Sequence, residues 1–412
     1  FFWLLTCNTS LAQNGNTDLP NPTANIMLAP AGTYVIAMDN TLQANPGYFN
    51  IKAYGLAVKI LNGEKALHWV IRAGKTKDQI DFSANATRVF PTLQAASMRN
   101  FKAGPLLILP RDSSGVAAII NAFNNAQTAA NRVNVYQLTD PTLVDVRYIL
   151  TQKPRGVVLN DGNNETIHAD YYVKAAIDSP MNWRVTAATR LVEQCYTFAS
   201  EPHSDVVGPT IDSIKTYVQR GGNFLAQCLA INTYENAANG RFQTNGGITI
   251  LNTNTDPNFS HPNADLSFSQ YEGRFDPMRI GGAEKNWKSA PGSSYHNNYH
   301  KHQAGGLATD SSIVGQSVSK LSSGRGHLVF YTGGHDYDKN TSIDYINGMR
   351  SFFNAFLTPS GLIQCDFLRF DNDVVISKTA EPASLCEGAT TTFKIVVKNN
   401  GPTPTQTPVV AN

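Results

Sequence analysis

Charge is what this chain has least of. Only 16% of its 412 residues are Asp, Glu, Lys or Arg, and 33 Lys plus Arg against 31 Asp plus Glu leave a formal charge of +2. A balance so near neutral offers no electrostatic footprint for nucleic acid and no polybasic patch for a membrane surface. Long apolar runs are also missing, since no segment approaches the ~20 residues of a membrane-spanning helix. Cysteine is sparse, with five in the whole chain. What is present is a 42% share of apolar residues, which supports a full core. The length accommodates two or three domains of roughly 100–200 residues each. Asn, Thr, Ser and Gly are abundant, a bias common in secreted bacterial surface proteins.

The first residues agree with export. FFWLLTCNTSLAQ reads as the tail of a signal peptide, with an apolar stretch from Phe1 to Leu5 and a small-residue site at Ser10, Leu11 and Ala12, so residues 1–12 are expected to be removed. The sequence lacks an initiating Met and a basic leader, which places the true start upstream. A lipoprotein reading through Leu4, Leu5, Thr6 and Cys7 is the alternative. In an oxidising compartment the other cysteines, Cys195, Cys228, Cys365 and Cys386, allow two disulfides. Cys365 and Cys386 lie close in sequence across a domain junction and are the expected pair. A disulfide, or inert burial, is what Cys228 would do if it had no chemistry.

Residues 13–33 read as a linker. From Tyr34 the pattern alternates strand and helix: TYVIAMDN, a helix from about Asn50 to Leu61, ALHWVIRAG, PLLILP, a helix from about Ser114 to Ala130, VNVYQL, and RGVVLND ending at Asp161. An amphipathic helix follows from Asp205 to Arg220. Short, continuous, β-branched strands alternating with helices predict an α/β domain over residues 34–360, built on a doubly wound, mostly parallel, three-layer sheet of flavodoxin-like form. Residues 240–323 lose periodicity and read as a long insertion over the C-terminal edge of the sheet, where open α/β sheets bind ligands. The sheet is expected to resume at His327 and to close with a helix from Ile343 to Phe356. Residues 371–412 alternate as strands and predict the start of a β-sandwich.

The chemistry concentrates in two stretches. YVQRGGNFLAQCLAINTYE, from Tyr217 to Glu235, reads as helix, double-glycine turn, apolar strand, and then Cys228 at the mouth of a second helix. On such a strand-to-helix bend the N–H groups of the helix N-terminus favour a thiolate and a developing oxyanion, with Leu229 N–H the expected oxyanion donor. SSGRGHLVFYTGGHDYD, from Ser322 to Asp338, delivers His335 on a glycine-rich loop after a strand, the expected base for that cysteine.

Together these stretches resemble the class I glutamine-amidotransferase-like superfamily, most closely its ThuA-like branch, over roughly Tyr34 to Pro359. The resemblance implies an amidotransferase-like fold with a Cys–His pair. Two departures stand out: the elbow glycines are Ala226 and Ala230, and the His-x-Glu pair of true amidotransferases is replaced by His335 with Asp336 and Asp338. Downstream, SKTAEPASLCEGATTTFKIVVKNNGP resembles the opening of the "domain of unknown function eleven" repeat. That is an immunoglobulin-like module found in tandem on bacterial surface proteins, and it implies further strands and a long extracellular stalk.

The acid partner is left open among Asp338, Asp336 and Glu235, with Asp338 favoured and Asp336 second; capping of the following helix is the bland reading of both aspartates. The same loop spaces Asp336, Asp338, Asn340 and Asp344 as oxygen ligands for calcium, although Thr341 and Asn347 stand where an EF-hand needs Gly and Glu. No cofactor is required otherwise. His168, Glu201 and His203 follow predicted strands and are pocket candidates, joined by Glu235. His296, His300 and His302 read as a solvated loop. The expectation is a secreted, cell-surface protein whose α/β domain is a cysteine-dependent hydrolase or acyl transferase acting on an extracellular small molecule or glycan. The alternative is a non-catalytic binding or adhesion module.

Overall fold

The computed structural model describes residues 16–45, 47–252, 260–282, 284–304, 312–370, 374–381 and 392–399. The signal remnant with Cys7, and Cys386, lie outside them. In the first third β1 (Ile26–Ala29), β2 (Tyr34–Ile36), β3 (Ala44–Asn45), β4 (Tyr48–Phe49), α1 (Lys52–Asn62), β5 (Leu67–Val70), β6 (Ile80–Phe90), β7 (Gln94–Lys102), β8 (Leu106–Ile108), α2 (Val116–Asn125), β9 (Val135–Leu138) and β10 (Thr142–Leu150) follow one another. Eight of these strands form one sheet in the order β1-β10-β5-β8-β2-β9-β6-β7. Every pairing in it is antiparallel.

The doubly wound parallel sheet expected from Tyr34 onward is therefore corrected for this half. β2, β5, β8 and β9 lie where the apolar runs placed them, whereas β1, β6, β7 and β10 were not expected. A continuous apolar run reports only that both faces of a strand are buried, not which way its neighbours point. In β8, Leu106 and Ile108 enter the core shared with α1 and α6. Leu107, between them, enters a second cluster with Val35, Phe82, Phe101, Tyr136 and Val146. That cluster fills the inside of the sheet's own curl, so helices cover only one of its faces. The expected linker is also structured: β1 forms the edge of this sheet, and buried Asp18 reaches the other half of the chain, accepting from Lys320 Nζ at 2.8 Å.

The second sheet is built from β11 (Gly156–Leu159), α3 (Thr166–Ala175), β12 (Trp183–Thr186), β13 (Phe198–Glu201), α4 (Pro209–Gln219), β14 (Asn223–Gln227), α5 (Leu229–Asn236), β15 (Ile248–Ile250), β16 (Trp287–Ser289), β17 (Tyr299–Ala304), β18 (Val314–Lys320), β19 (Leu328–Thr332) and α6 (Ile343–Leu357). Its order is β12-β11-β13-β14-β19-β18-β16-β15, with β17 also on β18. The five strands from β12 to β19 are parallel and the rest antiparallel. The chain is thus mixed α/β, with one mostly parallel sheet and one antiparallel sheet.

Within residues 240–323, β15, β16, β17 and β18 extend the second sheet, while the segment carrying Gly282 and Glu284 lies over its edge. Their strand character was hidden because β18 is buried with polar side chains that hydrogen-bond inside the protein. Gln316 Nε2 donates to Thr332 Oγ1 at 3.1 Å and to Ser351 Oγ at 3.0 Å, and Ser317 Oγ donates to Gln243 Oε1 at 2.5 Å. His300 and His302 fall in β17 and not in a loop.

Helices α1, α3 and α6 lie between the two sheets in one continuous core. A polar seam runs through it: buried Arg350 of α6 donates to Met38 O, to Gln270 O at 3.0 Å and to Asn40 Oδ1 at 3.3 Å, and its guanidinium sits 4.0 Å from the Phe49 ring centroid. The outer face of the second sheet packs on α4 and α5. There Cys195 is bonded to Cys365, which corrects the expected Cys365–Cys386 pair. Beyond residue 370, β20 (Val374–Glu381) and β21 (Thr392–Asn399) form an antiparallel pair; the rest of the expected sandwich lies outside the described residues. Among the described residues no helix is long and apolar enough to cross a membrane.

Candidate functional site

Three neighbouring parallel strands end level with one another, and each is followed by one of the residues of interest. In register, Glu201 of β13 faces Ala226 of β14, and Gln227 of β14 faces Thr332 of β19. His203 follows β13, Cys228 follows β14, and His335 follows β19. The C-terminal edge of a parallel sheet is where backbone ends and loops leave room for a ligand.

Cys228 sits on the bend between β14 and α5 with φ 51° and ψ −129°. A left-handed φ is costly for a residue with a Cβ, of order 1–3 kcal/mol, and persists only where the surroundings enforce it. Here the enforcing parts are the fully buried strand Asn223–Gln227 on one side and the buried turns of α5 on the other. Cys228 N–H donates to Thr332 O at 3.4 Å, tying the bend to β19. Leu229 is the first residue of α5, so its N–H is one of the donors a helix leaves without an intrahelical acceptor. The sulfur is wholly buried and outside any disulfide. The thiol donates to Glu284 Oε2 at 3.7 Å.

His335 is placed by an anchored turn. Tyr337 OH donates to Gly333 O at 2.7 Å, Tyr337 N–H donates to Tyr171 OH at 2.9 Å, and the Tyr337 ring packs where Gly348 of α6 has no Cβ. Gly334 N–H donates to Glu284 O at 3.0 Å, which ties the His335 turn to the segment before β16. That segment passes directly over the site. A Cβ on Gly282 would stand 2.5 Å from His335 Cβ and 3.1 Å from Cys228 Sγ, so only glycine fits, and its φ of +109° reinforces the requirement.

Ligand atoms of His203, Cys228 and His335 lie within 4.8 Å of one another. The two imidazoles meet edge to face at 5.2 Å. Burial lowers the pKa of His335, with Lys339 adding to the effect and Asp336 opposing it. Burial and the neighbouring His335 lower that of His203. Nδ1 of each ring is enclosed without a hydrogen-bond partner. Neutral imidazoles beside a thiol can accept its proton or bind a metal.

The other expected site residues separate. Asp336, not the favoured Asp338, stands beside His335, with Oδ2 at 3.7 Å from Nε2. Asp338 has other partners, its Oδ2 accepting from Lys339 Nζ at 3.3 Å and its backbone carbonyl from Lys174. Asp344 is buried against Arg274 Nη2 at 3.2 Å and accepts from Asp276 N–H at 2.8 Å, while Asn340 Oδ1 accepts from Ser342 N–H. Asp336, Asp338 and Asp344 therefore do not converge as the calcium spacing suggested. Among the described residues, His203, Cys228 and His335 are the group of three or more His, Cys, Asp or Glu side chains that does converge.

Glu235 is structural: it accepts from Gln243 N–H, Thr244 N–H, Thr244 Oγ1 and Tyr331 OH, fixing the segment after α5. Glu201 is buried against Tyr234 OH at 3.3 Å, and burial raises its pKa well above the ordinary range. His168 lies beneath the site, its Nε2 3.0 Å from Oε1 of Gln227, the residue before Cys228, and burial pushes its pKa down to about 3. Glu284 was missed. It stands in the aperiodic segment, and only its proximity in space marks it.

No protein-family model matches the chain, and no curated protein matches it. Distant solved structures do. A Thermoplasma acidophilum protein assigned as one component of a GMP synthase is 10% identical over 49% of this chain and 94% of its own, with a TM-score of 0.30. The GH42 β-galactosidase Gan42B of G. stearothermophilus is 13% identical over 66% of this chain and 36% of its own, at 0.28. The cold-adapted β-galactosidase of Rahnella sp. R3 is 12% identical over 80% of this chain and 51% of its own, at 0.29. This chain spans about a third to a half of the two β-galactosidases. Likenesses this distant carry no functional weight.

Proposed function

We propose that this is an exported, cell-surface protein of amidotransferase-like type whose second sheet carries a cysteine-dependent hydrolase or acyl transferase. The observation that supports it most is the strained bend of Cys228 at the head of α5, with His335 and His203 delivered beside it by the two flanking strands. In the reaction this predicts, the sulfur gives its proton to His335 and adds to an acyl carbon. The oxyanion that forms meets Leu229 N–H, and the leaving group departs with the proton to give a thioester that water or another acceptor cleaves. Asp336 is placed to orient the His335 ring. The acyl compound is taken to be an extracellular small molecule or glycan derivative. Export is supported by the Cys195–Cys365 disulfide, since such bonds persist in oxidising compartments.

One observation favours a second reading, a non-catalytic binding module. The sulfur is wholly buried beneath Gly282 and Glu284, so any substrate must displace that segment. Intact-mass spectrometry after exposure to p-nitrophenyl acetate separates the two. A single acetyl group mapped to Cys228, absent in Cys228→Ala, is the expected result. An unmodified Cys228 in folded protein supports the binding module.

A further inference from the structure

Cys228 stands among groups that bind metals. Its thiol donates to Glu284 Oε2 at 3.7 Å. Two imidazoles lie beside the sulfur, and their enclosed Nδ1 atoms have no hydrogen-bond partner. A set of one thiol and two imidazoles around a common centre, with a carboxylate at its edge, is what a borderline-soft dication binds.

We propose that His203, Cys228 and His335 form a site for a divalent transition metal of the zinc type, with a fourth position left open beside Glu284. Zinc bonds of about 2.0–2.3 Å to N and S put tetrahedral donors roughly 3.5 Å apart. Donors already within 4.8 Å reach that spacing by small side-chain rotations, and the two histidines are partly exposed and able to make them. Asp336 Oδ2, 3.7 Å from His335 Nε2, supplies the carboxylate behind the ligand that fixes a metal-binding imidazole. On binding, the thiol loses its proton to solvent, the sulfur–metal bond forms, and no electron changes hands.

This deepens the nucleophile reading, on which its regulatory consequence rests. A sulfur committed to the metal does not attack a carbonyl, so the ion holds the site off until it is removed.

The test is cobalt titration of the full, chelator-treated chain, followed by absorption spectroscopy. The expected result is a thiolate-to-cobalt charge-transfer band in the near ultraviolet with tetrahedral visible bands, saturating at about one equivalent and displaced by zinc. Cys228→Ser should abolish the charge-transfer band. His203→Ala, a change at a partly exposed loop residue that leaves the sulfur in place, should weaken cobalt binding by at least about tenfold. Absence of the band in wild-type protein, or its persistence in Cys228→Ser, overturns the proposal. Acetylation of Cys228 in metal-free protein separates the two readings: acetylation without a cobalt band leaves the nucleophile standing and removes the metal. A cobalt band without acetylation does the reverse.

Discussion

The two sheets are made of strands that look alike and ends that do not. In the antiparallel sheet, β8 and β2 are buried on both faces, yet their neighbours run the opposite way, so strand ends of both polarities alternate along each edge. In the parallel part of the second sheet, β13, β14 and β19 are just as buried, but their C-terminal ends share one edge. Three residues that each follow a strand are thereby brought together. Burial builds a core in either arrangement, whereas a common polarity concentrates chemistry.

The largest expected effect tests that contrast directly. His335→Ala should lower p-nitrophenol release from p-nitrophenyl acetate by roughly 10²–10⁴-fold, the usual loss when a general base is removed. His68→Ala, which removes a buried imidazole from β5 of the other sheet, should leave the rate unchanged. Equal losses would mean that the second sheet's edge is not special.

Next in size is the clamp on the outer face of the second sheet. The disulfide joins residues 170 apart in sequence, and Cys195→Ser should cost roughly 2–5 kcal/mol in denaturant unfolding. Hydrogen exchange should rise first in β11–β14 and not in β1–β10.

Between the sheets, Arg350→Met should cost roughly 1–3 kcal/mol by leaving the buried carbonyl of Met38 without its donor and Gln270 O with Asn354 Nδ2 alone. Equal stability of variant and wild type would show that the seam contributes nothing.

The smallest effect is the pH dependence that His168 of α3 contributes. His168 is neutral in the folded state, its pKa lowered to about 3 from an ordinary 6.5, chiefly by burial. The folded state therefore resists the proton that the unfolded state takes up, so this contribution is present above about pH 6.5 and is lost as pH falls toward 3. Between about pH 7 and pH 5 it amounts to roughly 2 kcal/mol. The drop in stability over that range should shrink by this amount in His168→Gln, measured against wild type at both pH values.

Much of the second sheet could be read from sequence, because helix, double glycine, apolar strand and cysteine follow in a fixed order from Tyr217 to Leu229. α6 and β19 were legible for the same reason. The direction of the first sheet was not, since Leu106, Leu107 and Ile108 look the same whether a helix or a curled sheet covers the second face. β18 was hidden by its buried Gln316 and Ser317. At the site, Cys228, His335 and His203 were visible as residues after strands. Asp336, the second choice for the acid, has a backbone turn with φ 50° and an Oδ2 3.7 Å from His335 Nε2, which spacing alone did not show. Glu284 depends on a contact 56 residues away in sequence and left no local signal.

That Cys228 is an activated thiol is tested most directly by the rate of iodoacetamide alkylation of Cys228 in metal-free folded protein at about pH 7, located by mass spectrometry and compared with a cysteine peptide and with His335→Ala. The predicted rate is at least about tenfold above the peptide's, as expected for a thiol with a larger thiolate fraction, and is lost in the variant. A rate below the peptide's in wild-type protein, with full labelling only after unfolding, would contradict an activated thiol.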